Sequence, residues 1–329
     1  MDCGAAGGIH RLLPRLQYAR SSGEVVNVQD IITSSSNPQV RHYCLLRDKA
    51  RQRREEGLFA GEGIRLFTDA PDRFIERVFV SESLLQELQA ASEHSFGHTA
   101  ASAAKDLQIE NARGRQEAAR VYPHPGEAAR LLEKITDLPF TVLSDELMKK
   151  TADTKTPQGI LFIARQPSWT ERDVLGETPL LLLTEDLQDP GNLGTIFRTA
   201  EAAGCTGLIM NRGTVDLFNP KTVRATMSAV FRQPFLYVED LQEELRGLQK
   251  SGVAGYAAHL KGERDYAAPD YRGACGFLIG NEGNGLQEAT ADLAAEKILI
   301  PMEGRIESLN AAVSASILMY EAQRQRRHG

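Results

Sequence analysis

Apolar positions along the chain follow two patterns. Between residues 31 and 165 they are spaced unevenly. Val40, Leu45 and Leu46 punctuate a polar, basic stretch over 38–56 that reads as a helix. Residues 74–80 alternate apolar and polar as a strand does, and Ser81 opens a helix through Leu84, Leu85 and Leu88. Residues 91–98 read as a polar turn, and 140–143 and 160–164 as further strands. From residue 179 onward, short apolar runs recur at 180–184, 207–210, 235–238, 253–258, 276–280 and 297–300. Helical spacing separates them near 194–203, 221–230, 241–250 and 286–294, and a last helix runs from about Ser308 to Arg326. Apolar strands alternating with helices predict an α/β fold with a mostly parallel sheet covered on both faces.

This change of pattern divides the chain. Residues 1–30 are rich in Gly, Ala and Ser and read as a flexible tail; residues 31–165 form a smaller α/β domain. Residues 166–178 (QPSWTERDVLGET) read as a linker, with Trp169 packing where it meets a domain, and 179–329 form the second domain. The 329 residues are enough for two domains. No apolar run approaches the roughly 18–20 residues of a membrane helix. Cys3, Cys44, Cys205 and Cys275 form no C-x-x-C pair and read as small buried hydrophobes in a reducing compartment, with no metal site and a cytoplasmic location expected.

The net charge of −6 argues against a nucleic-acid partner until its distribution is considered. Residues 1–165 carry 22 basic and 22 acidic side chains, and the remainder 16 and 22. Within the neutral half, Arg41, Arg47, Lys49, Arg51, Arg53 and Arg54 face one acid, Asp48. The stripe suits phosphates and equally suits a solvated helix face.

Three polar, Gly-containing segments follow strands of the second domain, at the strand ends where parallel sheets bind ligands. In the first (DPGNLGTIFRTA, 189–200), Asn192 is placed to cap a helix, Gly191 and Gly194 permit close backbone approach, and Arg198 offers a planar donor fork. The second (GNEGNG, 280–285) has the glycine order G-x-x-G-x-G. That is not the G-x-G-x-x-G of a dinucleotide loop, so a nicotinamide-dependent oxidoreductase is remote. Its Glu282 suits a solvated charge, or an acceptor for a ribose hydroxyl or other substrate donor. In the third (IPMEGRIESLNAA, 300–312), Ser308 reads as a helix N-cap, with Leu309, Val313, Ile317 and Tyr320 as the buried stripe.

In order and context these segments resemble the motifs of the SPOUT superfamily, specifically the SpoU/TrmH RNA ribose 2′-O-methyltransferases. The resemblance spans about 179–325. It extends to 31–165 through FAGEG (59–63) and ADTKTPQG (152–159), which resemble the family's RNA substrate-binding domain, similar to kink-turn-binding ribosomal proteins. It implies a C-terminal trefoil knot, S-adenosylmethionine as cofactor and a homodimer. Asn192, Arg198, Glu282, Ser308 and Asn310 match the catalytic positions. The cofactor would lie against His259, Leu260, Lys261, Gly262, Gly280, Asn281, Gly283, Ile300, Met302 and Leu309. Since a guanidinium resists deprotonation, Arg198 is expected to hold a phosphate and stabilise alkoxide charge, while Asn192 and Ser308 orient the hydroxyl. The expected substrate is ribosomal RNA. Transfer RNA, or a non-catalytic RNA-binding role, is the alternative.

Overall fold

The computed structural model describes residues 31–97 and 125–328, together with the backbone of strands Leu16–Ala19 and Val25–Val28, which pair antiparallel. The rest of the expected tail lies outside the described residues, as does Cys3. The chain forms two compact units, residues 1–37 with 77–151 and residues 38–76 with 152–329. These units are cut differently from the domains expected at 31–165 and 179–329.

In the first unit, Val78–Ser81 of strand Ile75–Ser81 pair in parallel with strand Phe140–Leu143. Helix Glu82–Gly97 runs through the expected turn at 91–98, carried on by the buried stripe Leu84, Leu85 and Leu88. Helix Pro125–Asp137 packs against it, turning Ala128, Leu131 and Ile135 inward at helical spacing.

In the second unit, the expected helix over 38–56 is two helices, Pro38–Asp48 and Ala50–Glu56, because Lys49 is extended at φ −120°. Strand Leu58–Glu62 pairs antiparallel with Ile160–Arg165. Glu62 is buried and accepts the N–H of Asp153 at 2.8 Å and the hydroxyl of Thr154, tying the 59–63 and 152–159 segments together. In the expected linker, Thr170 and Asp173 form a capping box on helix Glu171–Leu175, and Trp169 packs on a buried core cluster.

The larger part of this unit is a seven-stranded sheet. Its strands are β1 (Leu180–Thr184), β2 (Gly207–Asn211), β3 (Phe235–Val238), β4 (Ala254–Ala258), β5 (Arg264–Asp265), β6 (Cys275–Ile279) and β7 (Glu296–Leu299). They lie in the order β5-β7-β4-β6-β1-β2-β3, each pair parallel. Six match the sequence expectation to within a residue or two. The two-residue β5, with no apolar run, was not foreseen. Strand order reverses between β1 and β6, which makes their carboxyl ends the ligand-binding position of such a sheet.

The helices are α1 (Pro190–Ala203), α2 (Pro220–Ala225), α3 (Leu241–Lys250), α4 (Glu288–Ala291) and α5 (Ala311–His328). The expected helix over 221–230 stops at Ala225, since Met227 and Ser228 take φ of 48° and 74°. The one expected over 286–294 shrinks to α4.

Candidate active site

Helix α1 starts one turn earlier than expected. Asp189 is its N-cap, accepting the N–H of Asn192 at 2.8 Å, and Pro190 takes the first helical position. Asn192 is therefore not the cap, and its side chain is free to project from the helix. Its Nδ2 donates to Glu282 Oε1 at 2.9 Å, and its Oδ1 accepts from Asn310 Nδ2 at 2.9 Å. Gly194 serves helix packing rather than ligand approach: a Cβ there would lie 2.3 Å from Ala225 Cβ on α2.

The loop after β6 closes on itself. Asn281 and Gly285 exchange backbone hydrogen bonds at 3.0 and 2.9 Å, with Gly285 at φ 70°. Asn281 Oδ1 accepts the N–H groups of Gly283 and Asn284. Glu282 is lifted toward α1, where its carboxylate accepts the N–H of Gln188 at 3.0 Å and of Asp189 at 2.9 Å beside the Asn192 amide. Desolvation pushes its carboxyl upward, but these three donors outweigh it and hold the group below the usual carboxylate range. Glu282 is exposed, yet its carboxylate is committed to donors at the start of α1.

After β7, the third segment ends in Asn310, whose Oδ1 accepts the N–H of Ala312 at 2.9 Å and of Val313 at 3.3 Å. Asn310, not Ser308, is the N-cap of α5. The buried stripe is accordingly Ala312, Ala315, Leu318, Met319 and Ala322, while Val313 and Tyr320 are each 47% exposed. Small residues face inward because α5 lies against α1, with Gln323 Nε2 reaching Ala202 O and Ser316 meeting Thr199.

Beside this polar chain is a cavity of about 390 Å³ over the ends of β4, β6 and β7. Of the residues expected around a cofactor, His259, Leu260 and Lys261 line it from β4, Gly280, Asn281 and Gly283 from β6, and Ile300, Met302 and Leu309 from the third segment. Gly262 does not; it is buried, and a Cβ on it would lie 2.6 Å from the Ile298 carbonyl carbon. Glu282 and Ser308 also line the cavity, with Ser308 exposed. Glu288 went unforeseen. It stands on the rim, taking Lys261 Nζ at 3.3 Å and Lys297 Nζ at 3.2 Å, with His259 Nε2 at 3.8 Å. Those groups come from three separate parts of the chain, the stretch after β4, α4 and β7, so no local sequence signal marks them. His259 Nδ1 accepts the N–H of Lys261, so the ring is held at the strand end as well as facing the cavity.

Arg198 is exposed on α1, outside the cavity lining, and makes no hydrogen bond or ion pair among the described residues. The basic run is dispersed. Arg53 is 3% exposed and donates to Asp216 Oδ2 at 2.6 and 2.9 Å and to the Leu46 and Arg47 carbonyls, so it is not available to a phosphate. Arg47 pairs with Asp48 and the exposed Arg51 with Glu55, and Arg41, Lys49 and Arg54 are exposed as well. Among the described residues, no acidic, His or Cys cluster suits a metal, and no helix is long and apolar enough to cross a membrane.

The arrangement joins an anchored amide, a fixed carboxylate and an open hydroxyl to a half-apolar cavity, with an uncommitted guanidinium on the helix that carries the amide. It can orient a hydroxyl nucleophile and accommodate a heterocyclic cofactor. A profile of the SpoU rRNA methylase family matches residues 179–320. A 23S rRNA guanosine 2′-O-methyltransferase of Bacillus subtilis is 33% identical over 191 residues, covering 56% of this chain and 73% of its own. The mitochondrial rRNA methyltransferase 3 of Mus musculus is 30% identical over 249 residues, and the match spans 60% of each chain. Among solved structures, an AdoMet-bound rRNA methyltransferase from Sinorhizobium meliloti superimposes with a TM-score of 0.67 at 28% identity, covering 90% of this chain and 97% of that one. The three strand-end segments that build the site fall inside the matched region, and the chain belongs to the SpoU rRNA methylase family.

Proposed function

We propose that this chain transfers the methyl group of S-adenosylmethionine to a ribose 2′-hydroxyl in structured ribosomal RNA. The observation that carries the reading is the Glu282–Asn192–Asn310 hydrogen-bond chain at the switch point of the sheet, beside a cavity of cofactor size.

The cavity's donor set fits the cofactor. Backbone at the ends of β4 and β7 suits a purine edge, and Ile279, Ile298, Met302 and Leu309 supply apolar wall. Bound there, S-adenosylmethionine supplies a sulfonium methyl open to in-line displacement. The chain's own residues supply alignment and electrostatics. Asn192 gives one Nδ2 proton to Glu282 and keeps the second for a substrate oxygen. Ser308 presents a hydroxyl to the cavity. Arg198, with its donors free, receives the target's phosphate and stabilises charge developing on the 2′-oxygen.

Within the same reading, exposed Arg41, Lys49 and Arg54 contribute to RNA binding, and residues 31–165 form the substrate-binding part. Two copies pack through the exposed Val313 and Tyr320 of α5 together with Leu260 and Ile306, at 60% and 61% exposure. The trefoil knot belongs to this reading, supported by two loops, 280–285 and 300–310, that close on one cavity. A cytoplasmic location belongs to this reading if the substrate is bacterial, as that of the Bacillus subtilis relative is.

The test is transfer of labelled methyl from S-adenosylmethionine to total RNA, separated into ribosomal and transfer fractions, with Arg198→Ala as control. Label in ribosomal RNA, resistant to alkaline cleavage and lost in the variant, is the expected result. Label confined to transfer RNA would replace the substrate. Cofactor binding without label in either fraction would replace the enzyme with an RNA-binding relative.

A further inference from the structure

The chain leading into the first segment bends through a left-handed residue, Asp186. Asp186, two residues past β1, has φ 54°, in the left-handed region that Asp tolerates better than most side chains and keeps where its surroundings over-determine it. The surroundings do so. Its N–H donates to Asn211 Oδ1 at 2.9 Å, and its Oδ1 accepts from Asn211 Nδ2 at 2.8 Å, a reciprocal pair with the last residue of β2. Its carbonyl accepts from Asn281 Nδ2 at 2.8 Å and Gln188 Nε2 at 2.9 Å. Asn211 cannot turn over, because its Oδ1 also accepts the N–H and hydroxyl of Thr214 at 3.1 and 3.0 Å. Gly213 leaves room for the Asp186 carboxylate: a Cβ there would lie 1.7 Å from Oδ1.

The bend has a consequence two residues on. The N–H groups of Gln188 and Asp189 both point at the Glu282 carboxylate, and Asp189 then caps α1 where Asn192 leaves it. Glu282 and Asn192 are thereby set by backbone whose direction is fixed at Asp186.

We propose that Asp186 is a positioning residue: its left-handed backbone, locked by Asn211, aims the Gln188 and Asp189 amides at Glu282 and so holds Asn192 in its working orientation. The inference rests on the methyl-transfer reading for its kinetic readout, but not for its spectroscopic one.

Four variants test it. Asp186→Asn keeps an oxygen acceptor and the tolerance of left-handed φ, and retains kcat within about threefold. Asp186→Ala keeps neither, and lowers kcat by about tenfold or more while KM for S-adenosylmethionine stays within about twofold; tenfold corresponds to roughly one good hydrogen bond. Asn211→Asp sets a carboxylate against the Asp186 carboxylate and lowers kcat at least as far. Adding Asp186→Asn to Asn211→Asp restores an amide–carboxylate pair and recovers kcat to within about threefold of wild type. Independently of turnover, the amide protons of Gln188 and Asp189, shifted downfield by the carboxylate, move upfield in Asp186→Ala and Asn211→Asp and return in the double variant. The proposal is overturned if Asp186→Ala keeps wild-type kcat and amide shifts, if kcat falls only in step with the folded fraction seen in a thermal melt, or if the double variant stays as impaired as Asn211→Asp. An inactive wild type would instead remove the methyl-transfer reading and leave the amide shifts to decide Asp186.

Discussion

In helix Ala50–Glu56, Arg53 is 3% exposed, and its guanidinium is divided between the Asp216 carboxylate and two carbonyls of the preceding helix. On α1, at the carboxyl edge of the parallel sheet, Arg198 is exposed and makes no hydrogen bond or ion pair among the described residues. The side chains are chemically identical and differ in what remains unspent. Arg53 joins residues 53 and 216 within one compact unit, close to where Phe59 packs on Phe218 at 5.1 Å. Its donors answer structural acceptors. Arg198 has its five donors unspent among the described residues. A count of positive charge therefore says little about nucleic-acid contact until each donor has been accounted for.

The largest effect expected from this contrast is on stability. Arg53→Ala leaves Asp216, 20% exposed, and the Leu46 and Arg47 carbonyls without their donor. Removing one partner of a buried pair costs about 3–5 kcal/mol, read as a lower urea midpoint at unchanged slope. A loss below about 1 kcal/mol would mean the pair behaves as a surface one, and the contrast with Arg198 would collapse.

Next comes activity. Arg198→Ala is expected to lower kcat by about 10²–10³-fold, the range for losing a donor aimed at developing charge, while leaving stability within about 0.5 kcal/mol, as for an exposed position. Arg198→Lys sharpens the point. A compact ammonium cannot make the guanidinium's forked contact, so it recovers a small part of the rate without a new pH limb. Full recovery with a shifted limb would assign Arg198 as a proton acceptor instead.

These residues also mark what the sequence could reveal. The strands of the sheet were legible because continuous apolar runs such as Leu180–Leu183 have few alternatives to a strand buried on both faces. The three polar segments were legible because chain must turn at strand ends, and in a parallel sheet those ends converge. Which residue caps and which projects was less so. From sequence Asn192 reads as the cap, although Pro190 at the first helical position is the feature that makes Asp189 the cap; Ser308 and Asn310 are likewise both capping types, and the chain's path from β7 decides between them. Arg53 was not legible at all. Its partner Asp216 is remote in sequence, and Arg51, Arg53 and Arg54 read alike until the fold buries one of them.

The smallest effect is expected from that neighbour. Arg54 is exposed and adjacent to Arg53, so Arg54→Ala tests the basic run with the structural role removed. A side chain that meets one phosphate contributes through counterion release, and its loss lowers the slope of log affinity against log salt by about 1 without altering which RNA is preferred. Arg54→Ala should therefore weaken RNA binding modestly at low salt, leave the urea midpoint unchanged and leave kcat at saturating RNA near wild type. Arg53→Ala, compared under conditions where it stays folded, should keep the wild-type salt slope, because its charge is already neutralised by Asp216. If the two substitutions changed the salt slope equally, the buried guanidinium would have to be reaching solvent, and the division between spent and unspent arginines would fail at its most direct point.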